Sequence, residues 1–190
     1  MTQAATGNTS LQPSNEANAE QLRLAREQGD AFQKAVDEMT KHEAYGEEKA
    51  AGDYLIGYAI EKAEGMYNYQ TALLSKGLQW MEPKDENAHI EIVVRDGADG
   101  RFIPGLTVEV TLLDPGGNPI GTHRHQFLWH PWLYHYGRNW TVPQAGEYTL
   151  KVHIDPPDFP RHDHLNGRRF TDPVDVYFTG VRIEPGQKRS

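Results

Sequence analysis

The chain has 190 residues, 37% of them hydrophobic, and a net charge of −8. That length allows one domain with an adequate core, and the low apolar share leaves part of the chain outside it. The acidic balance argues against a nucleic-acid partner, and the absence of cysteine excludes disulfides, thiolate catalysis and thiolate metal ligands.

The opening stretch, MTQAATGNTSLQPSNEANAE, is polar and carries no apolar h-region of a signal peptide, so residues 1–19 read as a disordered tether. From Glu20 to about Glu43, Leu22, Ala25, Phe32, Val36 and Met39 recur at three- and four-residue intervals. This predicts an amphipathic helix within a 20–50 segment, weakened by Gly29, whose one narrow apolar stripe lies on a domain or a partner. His42 at its end suits the helix dipole better than a metal. No apolar run reaches the ~20 residues needed to span a bilayer.

From Gly52 strand patterns take over. Tyr54, Ile56 and Tyr58 alternate with Leu55, Gly57 and Ala59, and His89, Glu91 and Val93 alternate with Ile90, Ile92 and Val94. Leu106–Leu112 ends at the turn Asp114-Pro115-Gly116-Gly117, and further strands are predicted near 120–127, 139–142, 147–155 and 174–183. Seven or so short strands with little helix among them argue for a mainly β fold. The expected architecture is an Ig-like antiparallel β-sandwich over residues 52–183, with an amino-terminal helical extension and a tail at 184–190.

Eight of the nine histidines fall between His89 and His164. The densest stretch is Gly121–Trp140, GTHRHQFLWHPWLYHYGRNW. Imidazole is the commonest protein ligand for transition metals, so a histidine cluster without cysteine points to copper, zinc or iron bound through nitrogen and oxygen. His89 and Glu91 are two apart on a strand and share a face, which makes a rigid half-site. An ordinary solvated strand face would carry the same pair. His123 and His125 repeat the geometry with Arg124 facing away. A cupin would follow this HxH with a glutamate, whereas Gln126, Phe127, Leu128 and Trp129 stand here.

His130, before Pro131, reads as a packing residue. His135 precedes Tyr136 and Gly137, and Gly137 permits a positive-φ turn that would present it at a sheet edge. Trp129, Trp132, Tyr134 and Tyr136 could wall a metal site, but core is the better expectation for most of them. His153 faces outward between Val152 and Ile154. Past Pro156-Pro157, His162 and His164 form a second HxH on a loop, with Asp163 able to hold an imidazole in one tautomer.

Taken in order, HIE (His89–Glu91), FIPGLTVEVTL (Phe102–Leu112), HYG-N (His135–Asn139), the Gly146–Pro157 segment and HDH (His162–His164) resemble the periplasmic iron-transport proteins. The resemblance covers roughly residues 52–183. It implies an Ig-like sandwich, usually dimeric, that binds copper and iron and works with high-affinity iron permeases in the bacterial periplasm. It matches His89 to the first histidine ligand, Glu91 to its acidic partner, His135 to the HYG histidine, and His162, with His164 close behind, to the last ligand. The family commonly places a methionine ligand a few residues before HYG, whereas the methionines here are Met1, Met39, Met66 and Met81. His123 and His125 stand in that region instead, and imidazole suits copper(II), zinc and iron where a thioether favours copper(I).

The leading expectation is a non-enzymatic metal-binding protein of the cell envelope serving iron or copper uptake, with Glu91, Asp155 and Asp163 offsetting the metal charge. The runner-up is a metalloenzyme using Glu91 or Tyr136 for proton transfer. The third is a metal-free Ig-like binding domain.

Overall fold

A computed structural model describes residues 10–42, 44–69 and 77–188, with backbone alone at 41, 42, 44, 45 and 69. Residues 1–9 of the expected tether and the side chain of His42 therefore lie outside the described residues. Helix α1 (Ala19–His42) is followed, among the described residues, by strands β1 (Ala44–Ala51), β2 (Tyr54–Glu61), β3 (Met66–Tyr69), β4 (Leu78–Met81), β5 (Ala88–Asp96), β6 (Val108–Leu113), β7 (Pro119–Trp129), β8 (Tyr134–Trp140), β9 (Gly146–Ile154) and β10 (Val174–Ile183).

The fold is mainly β, an antiparallel β-sandwich with an amino-terminal helix. Strands run in the order β1-β2-β5-β8-β7-β6-β9-β10, and β3 pairs with β4 in a separate two-stranded sheet. β7 joins the two layers. Its first half pairs with β6, from Pro119 opposite Leu113 to His125 opposite Val108, and its second half pairs with β8, from Gln126 opposite Gly137 to Trp129 opposite Tyr134. Period-2 alternation sends Ile56, Tyr58, Ile90, Ile92, Val94, Val108, Val110, Leu150, Val152 and Phe178 into one core between the layers.

The helix covers the outer face of the β2-β5-β8 layer, where Val36 and Met39 pack on Ala59, Val93 and Leu133. Asn18 caps it: its side-chain oxygen accepts from Gln21 N at 3.0 Å, and Gln21 Oε1 accepts from Asn18 N at 2.8 Å. Gly29 is a contact point rather than a weakness, because a Cβ there would lie 1.7 Å from the Asp99 carbonyl oxygen. With α1 outside and the core inside, every residue of β5 is buried.

Two expectations change. The helical segment ends at His42, and residues 44–51 form β1, paired with β2. The described part of the tether is held down: Gln12 N donates to Asn166 Oδ1 at 2.9 Å and Ser14 Oγ to Asp163 Oδ2 at 2.7 Å. The described part of the tail, residues 184–188, is anchored as well, since Gly186 N donates to Asn87 O at 2.6 Å and Lys188 N to Ala63 O at 2.7 Å.

Candidate metal centre

His89 and Glu91 point outward from β5, on the face opposite Ile90 and Ile92. Antiparallel pairing sets His89 beside Asn139 and Glu91 beside Gly137, and β8 then presents His135 on the same face. One nitrogen or oxygen from each of His89, Glu91 and His135 lies within 4.8 Å of the others. Glu91 Oε1 is 3.2 Å from His135 Nε2 and 3.7 Å from His89 Nε2. All three residues are at most 4% exposed.

Gly137 makes the convergence possible. It sits within β8 and is not in a positive-φ turn, contrary to expectation. Its role is clearance: a Cβ there would lie 2.8 Å from His89 Nε2, 3.1 Å from His135 Cδ2 and 2.7 Å from Leu128 Cδ1. Leu128, directly across from His135, thus touches the same cradle.

Asn139 assigns the His89 tautomer. Its Nδ2 donates to Glu64 O at 2.8 Å, so its Oδ1 is the acceptor facing His89 Nδ1 at 2.8 Å. Nδ1 must then carry the proton, leaving a bare lone pair on Nε2 aimed toward Glu91. His89 Nε2 and both ring nitrogens of His135 are buried without a hydrogen-bond partner. Orphaned buried nitrogens are costly, and a lone pair facing a carboxylate wants a cation between them.

Burial favours the uncharged imidazoles that ligation needs. Desolvation pushes His89 down, opposed by the Glu64 charge and the Asn139 hydrogen bond. His135 is pushed down to about 3 by burial and then by the charges of His89, His130 and Lys188.

Beside the cluster lies a small cavity of about 40 Å³ lined by Glu61, Glu64, Glu91, His130, Leu133, His135 and others. Glu61, Glu64 and Glu91 bring carboxylate oxygens within 4.8 Å of one another. Lys188 reaches in from the tail, pairing with Glu61 and, at 3.0 Å, with Glu64. Burial works against its ammonium, but the Glu61 and Glu64 hydrogen bonds outweigh it and hold its pKa up. A cleft of about 750 Å³ between α1 and the sandwich is lined largely by apolar groups such as Phe32, Phe102, Phe127 and Phe159 and lies away from this chemistry.

The remaining expected ligands are elsewhere. His125 points into the sandwich, where its Nε2 accepts from Trp140 Nε1 at 3.1 Å and burial pushes it down to about 3. His123 is exposed and packs edge-on against Trp140, 4.7 Å between ring centres. The loop carrying His162 and His164 is anchored at the opposite end of β5, where Arg169 pairs with Asp53 and with Asp96 at 2.6 Å. There His162 Nδ1 meets Glu16 Oε2 at 2.9 Å with the ring 93% exposed. Asp163 accepts from Ser14, Leu165 and Asn166 rather than from an imidazole, and Asp155 meets His153. Trp129, Trp132 and Tyr134 are exposed instead of core. Tyr136 is buried, but its hydroxyl donates to Ile103 O and accepts from Leu106 N inside the sandwich, away from the proton-transfer role considered for it.

The family model described as "Fe2+ transport protein" matches residues 62–182. The chain belongs to that family. No curated protein matches it in sequence. Among solved structures it is similar to FetP of a uropathogenic E. coli strain, at 19% identity, TM-score 0.59, covering 74% of this chain and 96% of that one. It is also similar to the copper-reconstituted P19 protein from Campylobacter jejuni, at 17% identity, TM-score 0.61, covering 75% and 96%. A copper-bound P19 variant aligns at 17% identity, TM-score 0.60, covering 75% and 97%. At these identities the shared feature is the fold.

Asn139, Glu61, Glu64 and Lys188 were given no role from the sequence. Asn139 stood inside the HYG-N motif and was readable as a partner for an imidazole. The others had no local signal.

Proposed function

We propose that the chain binds one copper or iron ion at His89, Glu91 and His135 and handles it without catalysis, as part of metal uptake outside the cytoplasm. The observation that carries this is the pair of buried imidazoles whose unpartnered nitrogens face the Glu91 carboxylate. A metal-free binding domain would leave those nitrogens costly and unexplained. Membership of the Fe2+ transport protein family supports iron, and the copper in the P19 structures supports copper. Two imidazoles and a carboxylate form a donor set of intermediate hardness that suits copper(II) and iron.

Three protein ligands leave coordination positions open, which suits an ion that must be released. His162 and His164 cannot reach the cluster within one chain, since their loop is anchored at the far end of β5. A second copy is the route by which either completes the set, so the working unit in this reading is a homodimer. Delivery to a membrane permease for iron fits the same reading.

The test is to strip the protein and titrate copper(II) and iron(II) calorimetrically into wild type and a His89→Ala/His135→Ala double variant. Near-stoichiometric binding lost in the variant is the expected result. Binding that survives both substitutions would move the site away from β5 and β8.

A further inference from the structure

The last described residues form a strap across the mouth of the centre. Ala63 N donates to Gly186 O at 3.0 Å, Gly186 N to Asn87 O at 2.6 Å, and Lys188 N to Ala63 O at 2.7 Å. Gln187 Nε2 adds bonds to Lys84 O at 3.1 Å and Glu86 O at 2.9 Å. This backbone lattice is fixed to the segment leading into β5, so Lys188 is delivered to one place.

That place is the acidic mouth. The ammonium bridges Glu61 and Glu64, and it lines the same small cavity as Glu91 and His135. Three carboxylates whose oxygens lie within 4.8 Å of one another repel unless a cation sits among them. The lysine is the cation that the cavity lining supplies. It is a movable one: its side chain is 45% exposed, on a four-carbon stem that can swing into water without undoing the strap.

We propose that Lys188 is a tethered counter-ion that closes the centre in the metal-free protein and is displaced when a metal cation enters. The inference rests on the reading of His89, Glu91 and His135 as the metal centre. An ammonium and a metal cation compete for the same negative field, so loading must break the Lys188 contacts with Glu61 and Glu64. Glu91 is common to the two clusters. Metal on the imidazole side therefore brings positive charge next to the ammonium and lowers the free energy of its departure. By reciprocity, a seated ammonium weakens metal binding by the same factor. The strap thus lowers affinity while empty carboxylates would raise it, which suits a protein that must let its cargo go.

The test uses the full chain. Copper(II), iron(II) and the hard, oxygen-seeking manganese(II) are titrated into wild type, Lys188→Gln and Lys188→Arg. In parallel, Lys188 is acylated with an amine-reactive ester, with and without copper(II), and compared by mass spectrometry with exposed Lys34 on α1. The expected result is copper(II) binding tighter in Lys188→Gln on the order of tenfold, manganese(II) binding gained there, and Lys188→Arg behaving as wild type. Lys188 should acylate more slowly than Lys34 in the metal-free protein and faster once copper(II) is bound. Equal affinities in wild type and Lys188→Gln, with acylation indifferent to copper(II), would overturn the proposal. So would a Lys188→Arg variant that follows Lys188→Gln, because packing and not charge would then be at work. A wild type that takes up no copper(II) or iron(II) defeats the centre itself and this inference with it, and the wild-type titration alone reveals that case.

Discussion

His135 Nε2 lies 3.2 Å from Glu91 Oε1, yet neither ring nitrogen of His135 has a hydrogen-bond partner. A buried imidazole in that state is held in position by its strand and by packing. The ring is poised without being satisfied, and the residues that keep it and His89 in place can each be tested.

Gly137 is the first. Changing it to alanine puts a methyl group 2.8 Å from His89 Nε2 and 3.1 Å from His135 Cδ2. Overpacking of this kind costs about 1–3 kcal/mol of stability, and here it also spreads the two donors. Gly137→Ala should fold with a lowered Tm and lose metal affinity by more than the stability loss accounts for. Parallel thermal melts and calorimetric titrations check this; a variant that binds as wild type would show that the cradle is not needed.

Asn139 is the second. It fixes the Nδ1–H tautomer of His89 and, through the Glu64 backbone, ties that tautomer to the mouth of the site. Asn139→Ala should weaken metal binding about 10–100-fold, the usual effect of losing an orienting partner. Nitrogen NMR of the metal-free protein should show the His89 ring losing its single tautomer. An unchanged tautomer with unchanged affinity would remove Asn139 from the account.

Acid should unfold the metal-free protein through its buried imidazoles. An unfolded histidine titrates near ~6.5, while His125 is pushed down to about 3 by burial. The unfolded chain then binds a proton that the folded one refuses, so this contribution is intact above the unfolded value and is lost as pH falls toward 3. The loss is about 1.4 kcal/mol per pH unit for each such group. Urea midpoints measured between pH 7 and 4 should fall steadily, and His125→Leu should shallow the slope by about one proton. A slope unchanged in that variant would mean that His125 is accessible to protons in the folded state.

The alternation of β5 was legible because its period is local: Ile90, Ile92 and Val94 do face the core, with His89 and Glu91 opposite. That this outer face is itself buried was not legible, since it depends on α1 docking over Val93 and Ala59. The same-face pairing of His123 and His125 was read correctly, but not which face. β7 changes layers at Gln126, and its first half buries His125 inside the sandwich while His123, nearer the strand's start, lies exposed against Trp140. Gly29 and Gly137 looked like a helix breaker and a turn because the sequence does not show what approaches them. Glu61 and Lys188, 127 positions apart, meet only through the strap.

Leu128 offers the last test. It stands directly across from His135, with its Cδ1 against the cradle of Gly137. Methionine is nearly equal in volume and unbranched, so Leu128→Met should fold with less than about 1.5 kcal/mol of loss. Its thioether would sit beside two imidazoles and shift the donor set toward soft ions. Copper(I) affinity, measured by competition with a chromophoric chelator, should rise on the order of tenfold relative to copper(II). A ratio unchanged from wild type, in a variant that still binds copper(II), would mean that the residue-128 side chain does not reach the bound ion and that the ion sits nearer Glu91 than the cradle.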